Sequence, residues 1–255
     1  MSERVDPPRI DHLIYGPVSS RRFGRSLGVN IIPQGIKVCT FNCVYCQFGW
    51  TRAVAAPIDR WPTARAVAEA LEAALEHLRA PLSRITLAGG GEPTLHPHLT
   101  EIVDAILRTR DVYAAGVPVV VLTNGTRLLD PTVREAVRRL QECHVKLDAG
   151  TSETLRRVNG TAVPLSVLLE GLAHVPEAIV QSLFVHDPQG RCGNDDPAAR
   201  ASWLDTLRQL RPRQVHLYSL ARRPALARLE PVSGAWLDAL ARDLVASGIP
   251  ATVFN

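Results

Sequence analysis

Short apolar segments alternate with helical segments along most of the chain, and this alternation limits the folds that it can adopt. Six apolar segments are predicted strands: 28–32, 85–89, 117–123, 144–148, 178–185 and 215–220. Helical patterns lie between and after them, at 63–79, 99–110, from about 131, and at 152–158, 164–172, 197–210 and 234–247. This alternation predicts parallel strands covered by helices. Six βα units are too few for a closed eight-stranded barrel. We therefore predict an α/β fold, a partial (β/α)6 TIM-like barrel, with a doubly wound flat sheet as the alternative.

The length and composition indicate a single globular domain. The chain has 255 residues, of which 46% are hydrophobic, enough to bury a sizeable core. We predict one domain over 1–255, with an N-terminal arm (1–27), a barrel core (28–220) and a C-terminal helix and strand (221–255). No apolar run approaches the roughly 20 residues that span a bilayer, and the polar N-terminus does not resemble a secretory signal. We therefore expect no membrane association. Five cysteines, an odd number, favour a reducing cytoplasmic setting.

Three cysteines stand close together in the segment KVCTFNCVYCQFG. Cys39, Cys43 and Cys46 form a C-x3-C-x2-C pattern directly after the first predicted strand. Thiolates select zinc, copper(I) or iron–sulfur clusters. A structural zinc site needs a fourth ligand, and no further cysteine or histidine is near in sequence. A cluster held by three cysteines leaves one iron open to another ligand. The pattern therefore favours an iron–sulfur centre, with a zinc-bearing nucleic-acid-binding module as the non-enzymatic alternative.

The segment CTFNCVYC resembles the cluster motif of the radical S-adenosylmethionine (radical SAM) enzymes, with Tyr45 in the aromatic position. The resemblance implies a 4Fe–4S cluster whose open iron binds the amino and carboxylate groups of SAM. It also implies reductive cleavage of SAM to a 5′-deoxyadenosyl radical, which abstracts hydrogen from a substrate. An external electron donor, flavodoxin or ferredoxin, follows from the same resemblance. Tyr45 is expected to pack near the adenine.

Polar and glycine-rich residues follow the predicted strands, at the edge of the sheet where ligands bind. The segment Gly89–Pro93 resembles the family motif that holds the methionine portion of SAM, which implies that Gly90, Gly91 and Glu92 bind it. Further pocket residues implied by the resemblance are Thr123, Asn124, Lys146 and Asp148. Asn159 is expected at a helix end or in a loop.

Lysine is rare in this chain, and both lysines lie near the predicted site. Lys37 and Lys146 are the only lysines among the 29 basic residues. Arginine cannot supply a compact ammonium or a deprotonatable amine. We expect one of these lysines either to neutralise the SAM carboxylate or to form a Schiff base with a carbonyl co-substrate. In the predicted strand 144–148, period-2 alternation places Lys146 and Asp148 on one face, where they need a partner or a ligand.

The N-terminal segment YGPVSSRRFGRSLGVN and the later GGGEPTLHP, LTNGT, VKLDA and LYSLARRP resemble the radical SAM branch related to the tRNA wybutosine-synthesising enzyme. That enzyme has a second cluster on upstream cysteines, whereas residues 1–38 here contain none, which argues against the same reaction. A tRNA base is one expected substrate, and a peptide or small metabolite is the alternative. Several arginines could bind phosphate or carboxylate, or merely form a solvated surface: Arg21, Arg22, Arg25, Arg222 and Arg223. The net charge of +4 is compatible with RNA.

Overall fold

The computed structural model describes residues 12–255 of the chain. Its ten strands, in chain order, are β1 (Ile14–Ser20), β2 (Gly24–Val29), β3 (Arg84–Leu87), β4 (Val119–Thr123), β5 (Glu142–Lys146), β6 (Ile179–Leu183), β7 (Val185–His186), β8 (Gln214–Tyr218), β9 (Glu230–Pro231) and β10 (Ala251–Phe254). The seven helices are α1 (Ala64–Glu76), α2 (Leu99–Tyr113), α3 (Pro131–Arg138), α4 (Ser152–Asn159), α5 (Leu165–Ala173), α6 (Pro197–Leu210) and α7 (Gly234–Ala246).

Eight strands form one sheet in the order β1-β2-β3-β4-β5-β6-β8-β10. Every neighbouring pair from β2 to β10 is parallel, and β1 pairs antiparallel with β2. The order follows the chain without the reversal that defines a doubly wound sheet. The partial barrel is therefore confirmed, and the flat doubly wound alternative is wrong.

Contacts across the sheet show its curvature. The rings of His144 on β5 and His216 on β8 lie 5.4 Å apart between centroids, although β6 separates these two strands in the sheet. Side chains of non-adjacent strands meet only where the sheet is concave. We call this concave inner face the lumen.

The two faces of the sheet differ in chemistry. On β5, Cys143 and Val145 belong to the apolar core that the helices cover. The alternate residues Glu142, His144 and Lys146 face the lumen, as period-2 alternation requires. A hydrogen bond from Gln181 Nε2 to His144 Nδ1 (3.0 Å) shows that polar groups here satisfy one another. The apolar core thus lies outside the half-barrel, and the inner face is polar.

All six predicted parallel strands are present, with differences at their ends. The predicted strand 178–185 leaves the main sheet after Leu183, because the Val185 N–H donates to the Asn194 side chain (2.9 Å) and β7 pairs with β9. The predicted helix start is confirmed, since Thr63 caps α1 by accepting from the Ala66 N–H (3.2 Å). Residues 14–20, assigned to the arm, form the edge strand β1.

Candidate functional site

The three clustered cysteines lie on a loop that backbone hydrogen bonds hold against the end of α4. We call residues 37–49 the cysteine loop. The Asn42 N–H donates to the Asn159 carbonyl (2.8 Å), and the Val44 N–H donates to the Val158 carbonyl (3.0 Å). These bonds fix the loop to the C-terminal end of α4. Gly160, which ends α4 at φ +55°, comes so near that a Cβ there would lie 2.7 Å from the Asn42 carbonyl oxygen.

Lys37 joins the two ends of the cysteine loop. Its Nζ donates to the Gly49 carbonyl (2.6 Å), and the residue is only 5% exposed. The Gly49 N–H in turn donates to the Cys46 carbonyl (3.1 Å). This geometry gives Lys37 a structural task, which is to close the loop that carries the thiols. Its predicted catalytic role stays a prediction.

The environments of Cys39 and Cys43 suit metal-bound sulfurs. The Cys39 sulfur accepts from the Phe41 N–H (3.4 Å) and from Asn124 Nδ2 (3.6 Å). Burial, together with the neighbouring Cys46 and Asp148, raises the pKa of the Cys43 thiol to about 11. Burial likewise raises the pKa of Cys39, with contributions from Glu92 and Cys43. The N–H donors to these sulfurs are of the kind that tune cluster sulfurs.

The donor set fits a cluster better than a single ion. Within residues 12–255, no group of three or more His, Cys, Asp or Glu side chains is arranged to hold one metal ion. In a 4Fe–4S cluster each cysteine binds a different iron, so the sulfurs stand further apart than around one zinc. A buried acceptor beside Cys43, Asn159 Oδ1, has no hydrogen-bond partner. Three sulfurs and an unused acceptor beside them match a cluster together with a second ligand that donates hydrogen bonds.

The glycine-rich segment after β3 packs directly on the start of the cysteine loop. A Cβ on Gly91 would lie 1.8 Å from the Val38 carbonyl oxygen, so only glycine fits there. The Val38 N–H donates to the Gly90 carbonyl (3.3 Å), and the Glu92 N–H donates to the Val38 carbonyl (2.9 Å). The two predicted binding segments are therefore joined into one surface.

Glu92 is 2% exposed, and four donors surround its carboxylate. Oε1 accepts from the Thr94 N–H (3.0 Å), the Thr94 hydroxyl (2.6 Å) and the Thr123 hydroxyl (2.6 Å), and Oε2 accepts from the Asn124 N–H (2.7 Å). A carboxylate offers about four acceptor positions, two on each oxygen, so Oε1 is fully used within the protein and Oε2 keeps one position. Burial raises its pKa, and the hydrogen bonds oppose that rise. Glu92 thus fixes the ends of β3 and β4 relative to each other, and its direct contact with SAM stays a prediction.

Thr123 and Asn124 lie beside Glu92, at the junction of the glycine-rich segment and the cysteine loop. Asn124 is 5% exposed, and its Nδ2 also donates to the Thr40 hydroxyl (2.8 Å) beside Cys39. The predicted pocket residues of β4 therefore contact both the cysteine loop and the glycine-rich segment.

Asp148, after β5, is the centre of a hydrogen-bond network that begins at Cys43. Asn159 Nδ2 lies 3.3 Å from the Cys43 sulfur, 2.9 Å from the Tyr45 hydroxyl and 2.8 Å from Asp148 Oδ2. The Tyr45 hydroxyl donates to the same carboxylate. The Leu183 N–H and Lys146 Nζ both reach Asp148 Oδ1 at 2.8 Å. Sequence reasoning predicts a loop or helix-end residue at Asn159, with contact to the ribose as the alternative. The close approach of Gly160 to the loop explains the central place of Asn159.

Lys146 continues this network into the lumen. Its Nζ donates to the Tyr218 hydroxyl (3.0 Å) and lies 4.8 Å and 5.1 Å from the ring centroids of Tyr218 and Tyr45. Burial lowers the pKa of Lys146, but the charges of Asp148 and Tyr218 and the hydrogen bonds to both residues together outweigh burial, and the net pKa lies above the ordinary value. The site therefore stabilises the ammonium form. Tyr218 was not predicted, although the alternation of polar residues in Gln214–Tyr218 would have placed it on the inner face.

The turn between β1 and β2 enters the lumen opposite Lys146. The guanidinium of Arg22 lies 4.1 Å from the Tyr218 ring centroid and donates to Gln181 Oε1. Phe23 is 3% exposed, and its ring packs edge-on against His144 at 4.9 Å. Only long-range packing places this hairpin inside the half-barrel, and the local sequence did not predict it.

Comparison with known proteins identifies the family. The model of the radical SAM superfamily matches residues 35–186, a region that contains the cysteine loop, the glycine-rich segment and strands β3–β7. The chain belongs to the radical SAM superfamily. A UPF0026 protein from Synechocystis is 33% identical over 218 residues, which cover 84% of this chain and 78% of that protein. A UPF0026 protein from Helicobacter pylori is 34% identical over 173 residues, which cover 66% of this chain and 52% of that protein.

Solved radical SAM structures share the fold. A radical SAM methyltransferase from Sphaerobacter thermophilus has a TM-score of 0.64 and 23% identity, over 89% of this chain and 66% of that one. TYW1 with a lysine-pyruvate adduct bound has a TM-score of 0.64 and 19% identity, over 87% of this chain and 73% of that one. These likenesses confirm the partial-barrel fold. The chain spans about half the length of the first Helicobacter relative.

Superfamily membership establishes an enzyme that uses a 4Fe–4S cluster and SAM. The expected cofactors are thus confirmed. The superfamily assignment takes the place of the alternative interpretation, a zinc-bearing module. In the part of the chain that the structure describes, no helix combines the length and apolar character needed to cross a membrane.

Proposed function

We propose that this radical SAM enzyme abstracts hydrogen from a nucleobase of an RNA substrate bound at the lumen. A 4Fe–4S cluster held by Cys39, Cys43 and Cys46 would supply the electron for reductive cleavage of bound SAM to methionine and the 5′-deoxyadenosyl radical. The observation that supports this site for the reaction is the unbroken set of contacts from Cys43 through Asn159, Asp148 and Lys146 to Tyr218. It links the cysteine loop to the polar inner face, where a substrate would meet the radical.

The residues of the site have separate proposed tasks. Cys39, Cys43 and Cys46 bind the cluster. Gly90 and Gly91 let the backbone approach the methionine end of SAM, and Glu92 with Thr123 and Asn124 keeps that surface in place. Asn159 offers its unpartnered Oδ1 to a hydrogen-bond donor of the bound cofactor. Tyr45 packs near the adenine.

For Lys146 we propose charge neutralisation rather than Schiff-base formation. An amine attacks a carbonyl only after it loses its proton, whereas contact with Asp148 at 2.8 Å stabilises the ammonium form. Lys146 would then balance Asp148 and attract an anionic group of SAM or substrate. Lys37 would act through the loop that it closes.

An RNA substrate is supported by two features. The chain carries a net charge of +4, as proteins that bind polyanions often do. The rings of Tyr45 and Tyr218 lie beside the site, and aromatic side chains are common platforms for unstacked bases. The fold likeness to TYW1 agrees with this proposal. A ferredoxin or flavodoxin is the proposed electron donor. None of the five cysteines, all within residues 12–255, forms a disulfide, and the proposed compartment is the reducing cytoplasm.

The test is reductant-dependent cleavage of SAM by anaerobically reconstituted enzyme, with and without bulk tRNA from cells grown in deuterated medium. We expect 5′-deoxyadenosine to form only with reductant and to gain deuterium from the tRNA. The Cys43→Ala variant should form none. Cleavage that proceeds without deuterium transfer from tRNA, but with transfer from a deuterated peptide or metabolite pool, would overturn the RNA assignment.

A further inference from the structure

Three arginines meet beside Tyr218 at the lumen, and we call Arg21, Arg22 and Arg222 the hairpin arginine cluster. The Arg22 guanidinium lies 4.1 Å from the Tyr218 ring centroid. Nη2 of Arg21 donates to the carbonyl of Ser219, the residue after Tyr218 (3.2 Å). Arg222 follows three positions later and is near enough to lower the pKa of Arg21. Two distant segments of the chain thus place three guanidiniums together.

These guanidiniums have positive charge and donors to spare. Among residues 12–255, none of the three has a carboxylate within ion-pair distance. Each guanidinium carries five N–H donors. Within the part of the chain that the structure describes, Arg21 and Arg22 each use one in a hydrogen bond and Arg222 uses none. Arg84 and Lys146, which also face the lumen, are instead paired with Glu142 and Asp148 at 2.8 Å.

The arrangement is costly without an anion. Burial lowers the pKa of Arg21, and the charges of Arg22 and Arg222 lower it further, so the protein tolerates repulsion between like charges here. Arg21 is exposed, and Arg22 and Arg222 are half-buried, so a ligand can reach all three. A bound anion would remove the repulsion and use the free donors.

We propose that the hairpin arginine cluster binds a phosphate group of the substrate. Three uncompensated charges match the greater charge and the three or more oxygens of phosphate better than a single carboxylate. Tyr218 joins this subsite to the reaction site, since its hydroxyl accepts from Lys146 and its ring lies under Arg22. The phosphate would therefore be held at the hairpin while the attached nucleoside points toward the cysteine loop. This inference rests on the proposed function, because it supplies the binding contact for that substrate.

The test compares two double variants of the reconstituted enzyme with SAM present. Arg21→Gln/Arg222→Gln removes two members of the cluster and leaves Arg22 stacked. Arg108→Gln/Arg242→Gln removes the same charge from two exposed arginines whose side chains make no hydrogen bond or ion pair within the described chain. The probe is a short fluorescein-labelled single-stranded RNA, and its anisotropy is measured over a range of salt concentrations. Iron content and circular dichroism show that each variant is folded and loaded.

We expect the cluster variant to bind the RNA at least tenfold more weakly than the wild type. The slope of log Kd against log salt should fall by about 0.7 for each phosphate of a single strand that the variant no longer neutralises. The control variant should bind within about twofold of the wild type. Equal affinities and equal slopes for the two double variants would overturn the proposal.

Competition identifies the source of the phosphate and separates the two proposals. UMP should displace the RNA, whereas uridine should not. Displacement by UMP at concentrations near the Kd of the RNA would assign the site to a phosphorylated small molecule, and much weaker displacement would assign it to an RNA backbone. No displacement by UMP or inorganic phosphate would overturn the subsite. Deuterium transfer to 5′-deoxyadenosine tests the proposed function independently, so RNA binding through the cluster without transfer would reject only that function.

Discussion

Asn159 Nδ2 lies 3.3 Å from the sulfur of Cys43 and 2.8 Å from Oδ2 of Asp148. The Asn159 side chain, at the end of α4, thus contacts both the cysteine loop and Asp148 in the segment after β5. Asn159 is fully buried, so its orientation is fixed by these contacts. A hydrogen bond to a cluster sulfur stabilises the more negative, reduced state of the cluster.

Asn159→Leu should make the cluster harder to reduce. Loss of the N–H donor beside Cys43 should shift the midpoint potential to a more negative value, which a redox titration followed by electron paramagnetic resonance would measure. The change should also lower the free energy of unfolding by about 1–3 kcal/mol, because it leaves buried polar groups without a donor. Asn194→Leu is a matched control, since Asn194 is equally buried and donates to two backbone carbonyls at 2.9 and 3.0 Å but to no sulfur. A potential shift of the same size in both variants would contradict the specific contact.

The five cysteines should separate into two classes. Replacement of Cys39, Cys43 or Cys46 by alanine should remove most of the iron and acid-labile sulfide from anaerobically purified protein. Cys143→Ala should retain both, because Cys143 lies in the apolar core, and Cys192→Ala should do so because Cys192 lies in the loop tied to Arg228. Chemical analysis of iron and sulfide measures the result. Full cluster content in any of the first three variants would contradict the proposed ligand set.

Lys146 should not form a Schiff base with pyruvate. Its ammonium is stabilised by Asp148 and donates to Tyr218, so the fraction of free amine at neutral pH is small. Incubation with pyruvate and borohydride, followed by peptide mass spectrometry, should give no adduct on Lys146. TYW1 treated in the same way is the positive control, given its lysine-pyruvate adduct. A stoichiometric adduct on Lys146 would refute the charge-neutralising role.

Most of the fold and part of the site could be predicted from local sequence. Strands such as Val119–Thr123 are short and apolar, and caps such as Thr63 act within one helical turn, so local patterns suffice. The cysteine spacing and the alternation that pairs Lys146 with Asp148 are local in the same sense. The site residues that could not be predicted meet only because the sheet is curved.

Arg22, Gln181 and Tyr218 lie far apart in the chain, and they meet because the sheet curls until β8 faces the β1–β2 turn. No single segment carries a signal for that contact. Glu92 shows the same limit in another way. Its position after β3 was predicted, but the four donors that occupy its carboxylate come partly from β4 and the segment after it, and only the folded chain shows this.

The last prediction concerns acid stability and His96, which is 4% exposed. Its Nδ1 accepts from the His98 N–H (3.1 Å) and its Nε2 donates to the Pro62 carbonyl (2.9 Å), an arrangement that requires the neutral ring. Burial, with a smaller contribution from the nearby His98, lowers its pKa to about 4, although the hydrogen bond to Pro62 opposes this. Between about pH 6.5 and about pH 4 the unfolded chain takes up a proton that the folded chain does not, so the free energy of unfolding should fall by up to about 3 kcal/mol from this group. His96→Gln keeps one donor and one acceptor but cannot titrate, so urea unfolding of this variant should show a weaker pH dependence across that window. His174→Gln, at an exposed helix end, is the control and should leave the dependence unchanged, whereas equal pH profiles for wild type and His96→Gln would show that His96 does not cause the loss.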